Sequence, residues 1–211
     1  MDRNILVTDY RPIDLSVTNR ELDAIEISKA EACQQYVTYV LHREKGKVAY
    51  GGYLEKRGLY GNSDRFLGSE PRNIHLGTDF WCAAGTKVLA PLDGIIHSFA
   101  NNTDFGNYGP TIVLTHEFEG NRFYSLFGHL SLDSLEGLYV GKTIHSGDTL
   151  AALGTPEVNI GYAPHLHFQL ILNIGDYQGD YPGVCTKRDL RYFSANCPDP
   201  NLLLGYPSQF R

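Results

Sequence analysis

From residue 71 onward the chain is built of short runs rich in Val, Ile, Leu, Phe and Tyr: "TKVLAPLDGIIHSF", "PTIVLTHEF", "NRFYSLFGHL" and "HLHFQLIL". Gly, Pro, Asn and Asp part these runs at intervals of about ten residues, the spacing of antiparallel strands joined by turns in a sandwich or barrel. No alternation of strand and helix interrupts the pattern, so nothing points to a parallel α/β sheet. The expected class is mainly β.

Two of the runs share a layout. "GTKVLAPLDGIIHSF" (85–99) and "GKTIHSGDTLAALG" (141–154) each set a Gly-bounded turn between two β-prone stretches. Biotinyl and lipoyl carrier domains have such a hammerhead-like arrangement. A carrier needs a lysine in its turn to hold the prosthetic group, and Asp93 and Ser146 occupy those regions instead.

Residues 1–70 read differently. Ala30, Cys33, Val37, Val40 and Leu41 recur near helical spacing. Ser28 with Glu31 fits a capping box and Gly46 fits a C-terminal stop, which predicts a helix over about 28–45. Thr18 with Glu21 offers an earlier start. "GGYLEKRGLYGNSDRF" then reads as extended chain and loop. The expected division is an N-terminal segment over 1–70, a β domain over 71–205 and a tail over 206–211.

The formal charge of −6 argues against nucleic acid or an anionic membrane as partner, because both attract basic patches. No apolar run approaches the ~20 residues that span a bilayer. Acidic residues at positions 2, 9 and 14 break up the N-terminus, where no signal-peptide core follows. As written the chain is expected in the cytoplasm, with an export signal upstream of these residues left open. The four cysteines, Cys33, Cys82, Cys185 and Cys197, form no CxxC pair and are expected as buried thiols. Spacing neither supports nor excludes a Cys185–Cys197 disulfide.

Chemistry concentrates in two stretches. In "PHLHFQL", His165 and His167 are two apart in a strand-like run, so both project from one face while Leu166 and Phe168 turn toward the core. In "RNIHLGTDFW", His75 and Asp79 are four apart, again an even offset in extended chain. Gly77 between them lets the backbone come close to an ion. Cys82 lies at an odd offset from Asp79 and points away. An imidazole and a hard carboxylate oxygen together suit zinc. If His75, Asp79 and His167 hold the metal, one coordination position stays open for water or a carbonyl oxygen. His165 and His129, in "YSLFGHLS", are then spare imidazoles for proton transfer and oxyanion binding. Each pair alone is as readily explained by packing; their joint order is what makes the case. His42, on the helix, and His97, His116 and His145, in β runs, lack partners at useful spacing and read as structural or solvated. Tyr53, Arg57 and Tyr60 precede the first motif and either line its groove or serve packing.

In that order, "HLGTDF…AAGTKVLAPLDGII…YSLFGHLSL…VGKTIHSGDTLAALG…PHLHFQL" resembles the lysostaphin-type (β-lytic) zinc metallopeptidases over about residues 72–172. The resemblance implies a two-sheet antiparallel β fold with zinc in a groove. It implies His75, Asp79 and His167 as zinc ligands, and His129 and His165 as the catalytic histidines. The implied activity is that of a zinc metalloendopeptidase in which a zinc-activated water cleaves peptide bonds, with a peptide or peptidoglycan-derived substrate. A zinc-containing binding or regulatory module using the same groove is the alternative. The flanks "IDLSV" and "CPDPNLLLG" resemble a variant module joined to class III aminotransferase-like and small-molecule kinase-like domains. Two departures bear on the substrate. "GTPEVNIGYAPHLHF" differs from the secreted enzymes' pattern before the HxH, and Gln169 stands where those enzymes often carry glutamate.

Overall fold

The computed structural model describes residues 1–60, 70–159 and 161–206. In chain order these form β1 (Tyr10–Pro12), α1 (Ala30–Arg43), β2 (Val48–Gly51), β3 (Ile74–His75), β4 (Thr78–Trp81), β5 (Lys87–Leu89), β6 (Gly94–Asn102), β7 (Gly109–Phe118) and β8 (Asn121–Gly128). There follow β9 (Thr143–Ile144), β10 (Thr149–Ala152), β11 (His165–Ile171), β12 (Val184–Cys185), α2 (Leu190–Asn196) and α3 (Asn201–Leu204). Among the described residues, no helix is long and apolar enough to cross a membrane.

The architecture is mainly β, as expected. One eight-stranded sheet runs β1-β2-β4-β11-β8-β7-β6-β9, with β10-β5 and β12-β3 as two smaller ladders. All pairings are antiparallel except β1 with β2. The two half-repeats pair with each other: β5 with β10, and β6 with β9. Their turns are stitched where Ser146 N donates to Asp93 Oδ1 (2.7 Å) and Ser146 Oγ donates to the Pro91 carbonyl (3.1 Å).

Strand alternation divides the sheet's side chains between two faces. Phe80 of β4, Leu166, Phe168 and Leu170 of β11, and Phe127 of β8 pack with Val88, Leu150 and Ala151 of the β5-β10 ladder. Cys82, an even offset from Phe80, joins this core and faces away from Asp79. The opposite face carries two smaller cores. Cys33, Tyr36, Val37 and Val40 of α1 pack there on Ala49 and Trp81. Leu76, Tyr108, Leu126, Ile171 and Cys197 form the other. The site lies between them.

The N-terminal region departs from its sequence reading. The helix forms, but over Ala30–Arg43, with Lys29 in extended conformation as its N-cap and no side-chain capping bond. The Ser28/Glu31 box is therefore not made, because Ser28 lies one residue too early. The left-handed residue past the helix is Lys45 (φ 53°), not Gly46. Gly46 is needed for a different reason: a Cβ there would run into the Arg11 side chain. The earlier start corresponds to a 3₁₀ turn, Arg20–Leu22, capped by Asn19. Reading 1–70 as helix plus extended loop also missed two strands, since β1 and β2 join the large sheet and β2 pairs directly with β4. At the other end, Tyr206 packs with Tyr10, Tyr50 and Phe80, while 207–211 lie outside the described residues. The loop reading of 61–69 falls outside them as well.

Candidate metal centre

The antiparallel pairing of β4 with β11 sets His167 opposite Asp79, and His165 opposite Trp81. All four side chains share the face opposite the main core. His75 stands at the end of β3, which is held by β12 through the Val184–His75 register. Gly77 makes the approach of the two motifs sterically permissible. A Cβ there would sit 2.7 Å from both His167 Cε1 and the Phe168 carbonyl oxygen. The room it leaves is for the His167 ring rather than for an ion.

Three ligand atoms converge. His75 Nε2 and His167 Nδ1 are 2.8 Å apart, and Asp79 Oδ1 is 3.2 Å from each. The outward nitrogens reveal where the protons are. His75 Nδ1 lies 2.9 Å from the Gly52 carbonyl, which only accepts, so Nδ1 carries the hydrogen and Nε2 is a bare lone pair. His167 Nε2 lies 2.8 Å from Gln169 Oε1. The Gln169 amide is oriented by its NH₂, which donates to the Pro182 carbonyl (3.1 Å), so its oxygen must face His167. His167 Nε2 is thus the protonated nitrogen and Nδ1 is bare. With both rings neutral, two imidazole lone pairs and a carboxylate oxygen face one another. Such a trio is repulsive unless a cation sits among it, and each residue offers one ligand atom for a metal ion.

Charge is managed behind the trio. Arg57, 1% exposed, donates from Nη1 to Asp79 Oδ2 and from Nε to Glu55 Oε2. Burial alone would raise the Asp79 carboxyl, but its His75 and Arg57 neighbours hold it well below the ordinary carboxylate range. Burial, aided by the Arg57 charge, pushes His75 down to about 4, which keeps it neutral.

The two spare histidines lie together. The rings of His165 and His129 are 4.1 Å apart at 36°, and Trp81 stacks on the other side of His165 at 4.0 Å and 16°. His165 Nδ1 donates to the Ala163 carbonyl (2.7 Å), leaving Nε2 free to accept. His129 follows β8 in left-handed backbone (φ 63°) and is held by its N–H on the Tyr108 carbonyl. Such backbone is uncommon outside glycine and collects at functional positions. Burial and then the His165 ring hold the His129 imidazole well below its usual range. Its buried Nδ1 has no hydrogen-bond partner among the described residues. These five residues border a cavity of about 220 Å3, also lined by Tyr60, Tyr108, Tyr162, Tyr177 and Tyr181.

Of the three N-terminal candidates, Tyr60 lines this cavity and Arg57 grips Asp79. Tyr53 instead donates to the Cys197 carbonyl (2.8 Å). His42, His97, His116 and His145 do not line the cavity. All four cysteines are free and buried, so Cys185 and Cys197 form no disulfide. Two contributors were missed, and the role of a third, Gln169, was not read. Gly52 and Tyr108 carry no local motif. Gln169 is signalled only by parity, being two residues past His167 on the same face.

The fold is mainly β, and its His–Asp–His trio offers three ligand atoms to a metal ion. Residues 73–178, half of the chain, match the model of peptidase family M23, and the chain belongs to that family. An uncharacterized metalloprotease of Haemophilus influenzae is 31% identical over 99 residues, 47% of this chain and 19% of that protein. The DD-carboxypeptidase/endopeptidase Mpg of Neisseria meningitidis serogroup B is 31% identical over 101 residues, 47% of this chain and 20% of that protein. The chain thus spans about a fifth of the length of the curated relatives it matches. Among solved structures, the catalytic domain of the antimicrobial peptidase lysostaphin from Staphylococcus simulans is similar, at 23% identity. That match covers 61% of this chain and 86% of that one, with a TM-score of 0.40.

Proposed function

We propose that the chain is a zinc-dependent metalloendopeptidase that hydrolyses peptide bonds, with His75, Asp79 and His167 as zinc ligands and His129 and His165 as catalytic residues. The observation that carries this reading is the convergence of one ligand atom each from His75, Asp79 and His167. Ligand atoms on one tetrahedral zinc, with bonds of about 2.0–2.2 Å, stand about 3.3 Å apart. The trio's separations of 2.8 and 3.2 Å are close to that. Two imidazoles with one carboxylate are also a known catalytic zinc set, with a fourth position open. Zinc held there would supply Lewis acidity toward a water or the scissile carbonyl.

The remaining chemistry falls to this chain's own side chains. The bare Nε2 of His165 accepts the proton of the attacking water, its ring fixed by the Ala163 carbonyl and by Trp81. His129 lines the same cavity, where its ring N–H donates to the oxygen that becomes negative as the carbonyl carbon turns tetrahedral. The proton held at His165 then passes to the departing amine. A peptide as substrate is in keeping with the carboxypeptidase/endopeptidase name of the Neisseria relative. A peptidoglycan-derived peptide follows from the motif resemblance to the lysostaphin-type group. Zinc content, followed by cleavage of a panel of wall-derived and ordinary peptides, tests the reading. Zinc bound with no peptide cut would favour the binding-module alternative instead.

A further inference from the structure

The stretch 51–57 lies outside the residues that match the family, yet it wraps the first two ligands. Leu54 N donates to the His75 carbonyl (2.8 Å), His75 N to the Glu55 carbonyl (3.0 Å), and Arg57 N to the Asn73 carbonyl (2.9 Å). Gly51 is the register partner of Asp79. The Gly52 carbonyl fixes the His75 tautomer. Gly52 adopts φ 102°, and a Cβ there would collide with the Arg57 guanidinium, so the turn is shaped to admit that group. A fully buried Arg with two carboxylates is costly to assemble for stability alone, since apolar packing would serve as well.

We propose that Arg57 is a positioning residue for the metal, resting on the metallopeptidase reading of this site. Its Nη1 occupies Asp79 Oδ2, so the carboxylate offers the metal Oδ1 alone. Its Nε, tied to Glu55, keeps the guanidinium from turning. The clamp thereby sets Asp79 as a one-oxygen ligand and keeps the coordination number low, with a position left for water or substrate.

The test is Co2+ titration of the full chain, followed by visible absorption, for the unmutated protein, Arg57→Met and Arg57→Lys. Low-coordinate Co2+ absorbs strongly; a second carboxylate oxygen raises the coordination number and weakens the bands. We expect both variants to bind Co2+ about tenfold or more weakly, the size typical for loss of a group that orients a ligand, and to show weakened bands. Arg57→Lys keeps the charge but not the fork, so it reports even where Arg57→Met fails to fold. Variants with superimposable bands and affinities within about twofold of the unmutated chain overturn the clamp while leaving the metal site standing. An unmutated chain that takes up no Co2+ overturns both.

Discussion

Asp79 and His167 are register partners across β4 and β11, and that single pairing brings together two motifs separated by 88 residues. Asp79→Asn keeps the shape of the residue and removes its charge. It should release the metal, read as loss of bound zinc by elemental analysis after dialysis. A chelator should lower the melting temperature of the unmutated chain and leave that of the variant unchanged, because only a protein that binds metal in its folded state is stabilised by it.

His129→Ala should separate metal binding from turnover. The residue touches none of the three ligand atoms, so zinc content should stay at the unmutated level. Peptide hydrolysis should fall by about 10²–10⁴-fold, the range for a lost proton-transfer or oxyanion group. Full zinc together with unimpaired hydrolysis would remove His129 from the mechanism.

Gln169 fixes the His167 tautomer through Oε1. Gln169→Leu should weaken metal affinity or activity by about 10–100-fold. Gln169→Glu retains an acceptor at the same place and should keep metal binding within about tenfold. A leucine variant with unaltered zinc affinity would show that the ring is oriented by packing alone.

Gly77→Ala places a methyl group 2.7 Å from the His167 ring and from the Phe168 carbonyl. Overpacking of this kind costs about 1–3 kcal/mol. The denaturation midpoint should fall even in chelator, which distinguishes this variant from those that act only through the metal.

Acid sensitivity should arise in part away from the centre. Burial lowers the His116 imidazole below 6.5, with Nδ1 donating to the Asp93 carbonyl and Nε2 accepting from Ser125 Oγ, each at 2.7 Å. The unfolded chain therefore binds this proton more readily. The stability that neutral His116 contributes is present above about pH 6.5 and is lost as pH falls below it toward the depressed folded value. In metal-free protein, the dependence of unfolding free energy on pH below about 6.5 should be shallower for His116→Asn than for the unmutated chain.

What the sequence made legible was what parity decides. Even offsets placed His75 with Asp79 and His165 with His167, and odd ones sent Cys82, Leu166 and Phe168 elsewhere. The β class followed from the turn spacing. What escaped it depends on contacts made only after folding. Gly52 and Tyr108 reach the site from connecting segments, and nothing local marks them; Arg57 was marked only by its place before the first motif, not by its grip on Asp79. β1 and β2 are three and four residues long, too short for a pattern to stand out. The capping box failed because its motif fitted equally well one residue away from where packing of Cys33, Tyr36 and Val37 starts the helix.

The two strands that carry Asp79, His165 and His167 are interior to their sheet. β4 is bonded on its two sides by β2 and β11, and β11 by β4 and β8. Among the described residues, Asp79, Phe80 and Trp81 of β4 and His167 and Phe168 of β11 have register partners on both sides, so an incoming peptide finds no free strand edge at these positions. Selectivity of the proposed activity would then rest on the connecting segments that line the cavity, and exchanging them would be the route to retargeting it without disturbing its chemistry.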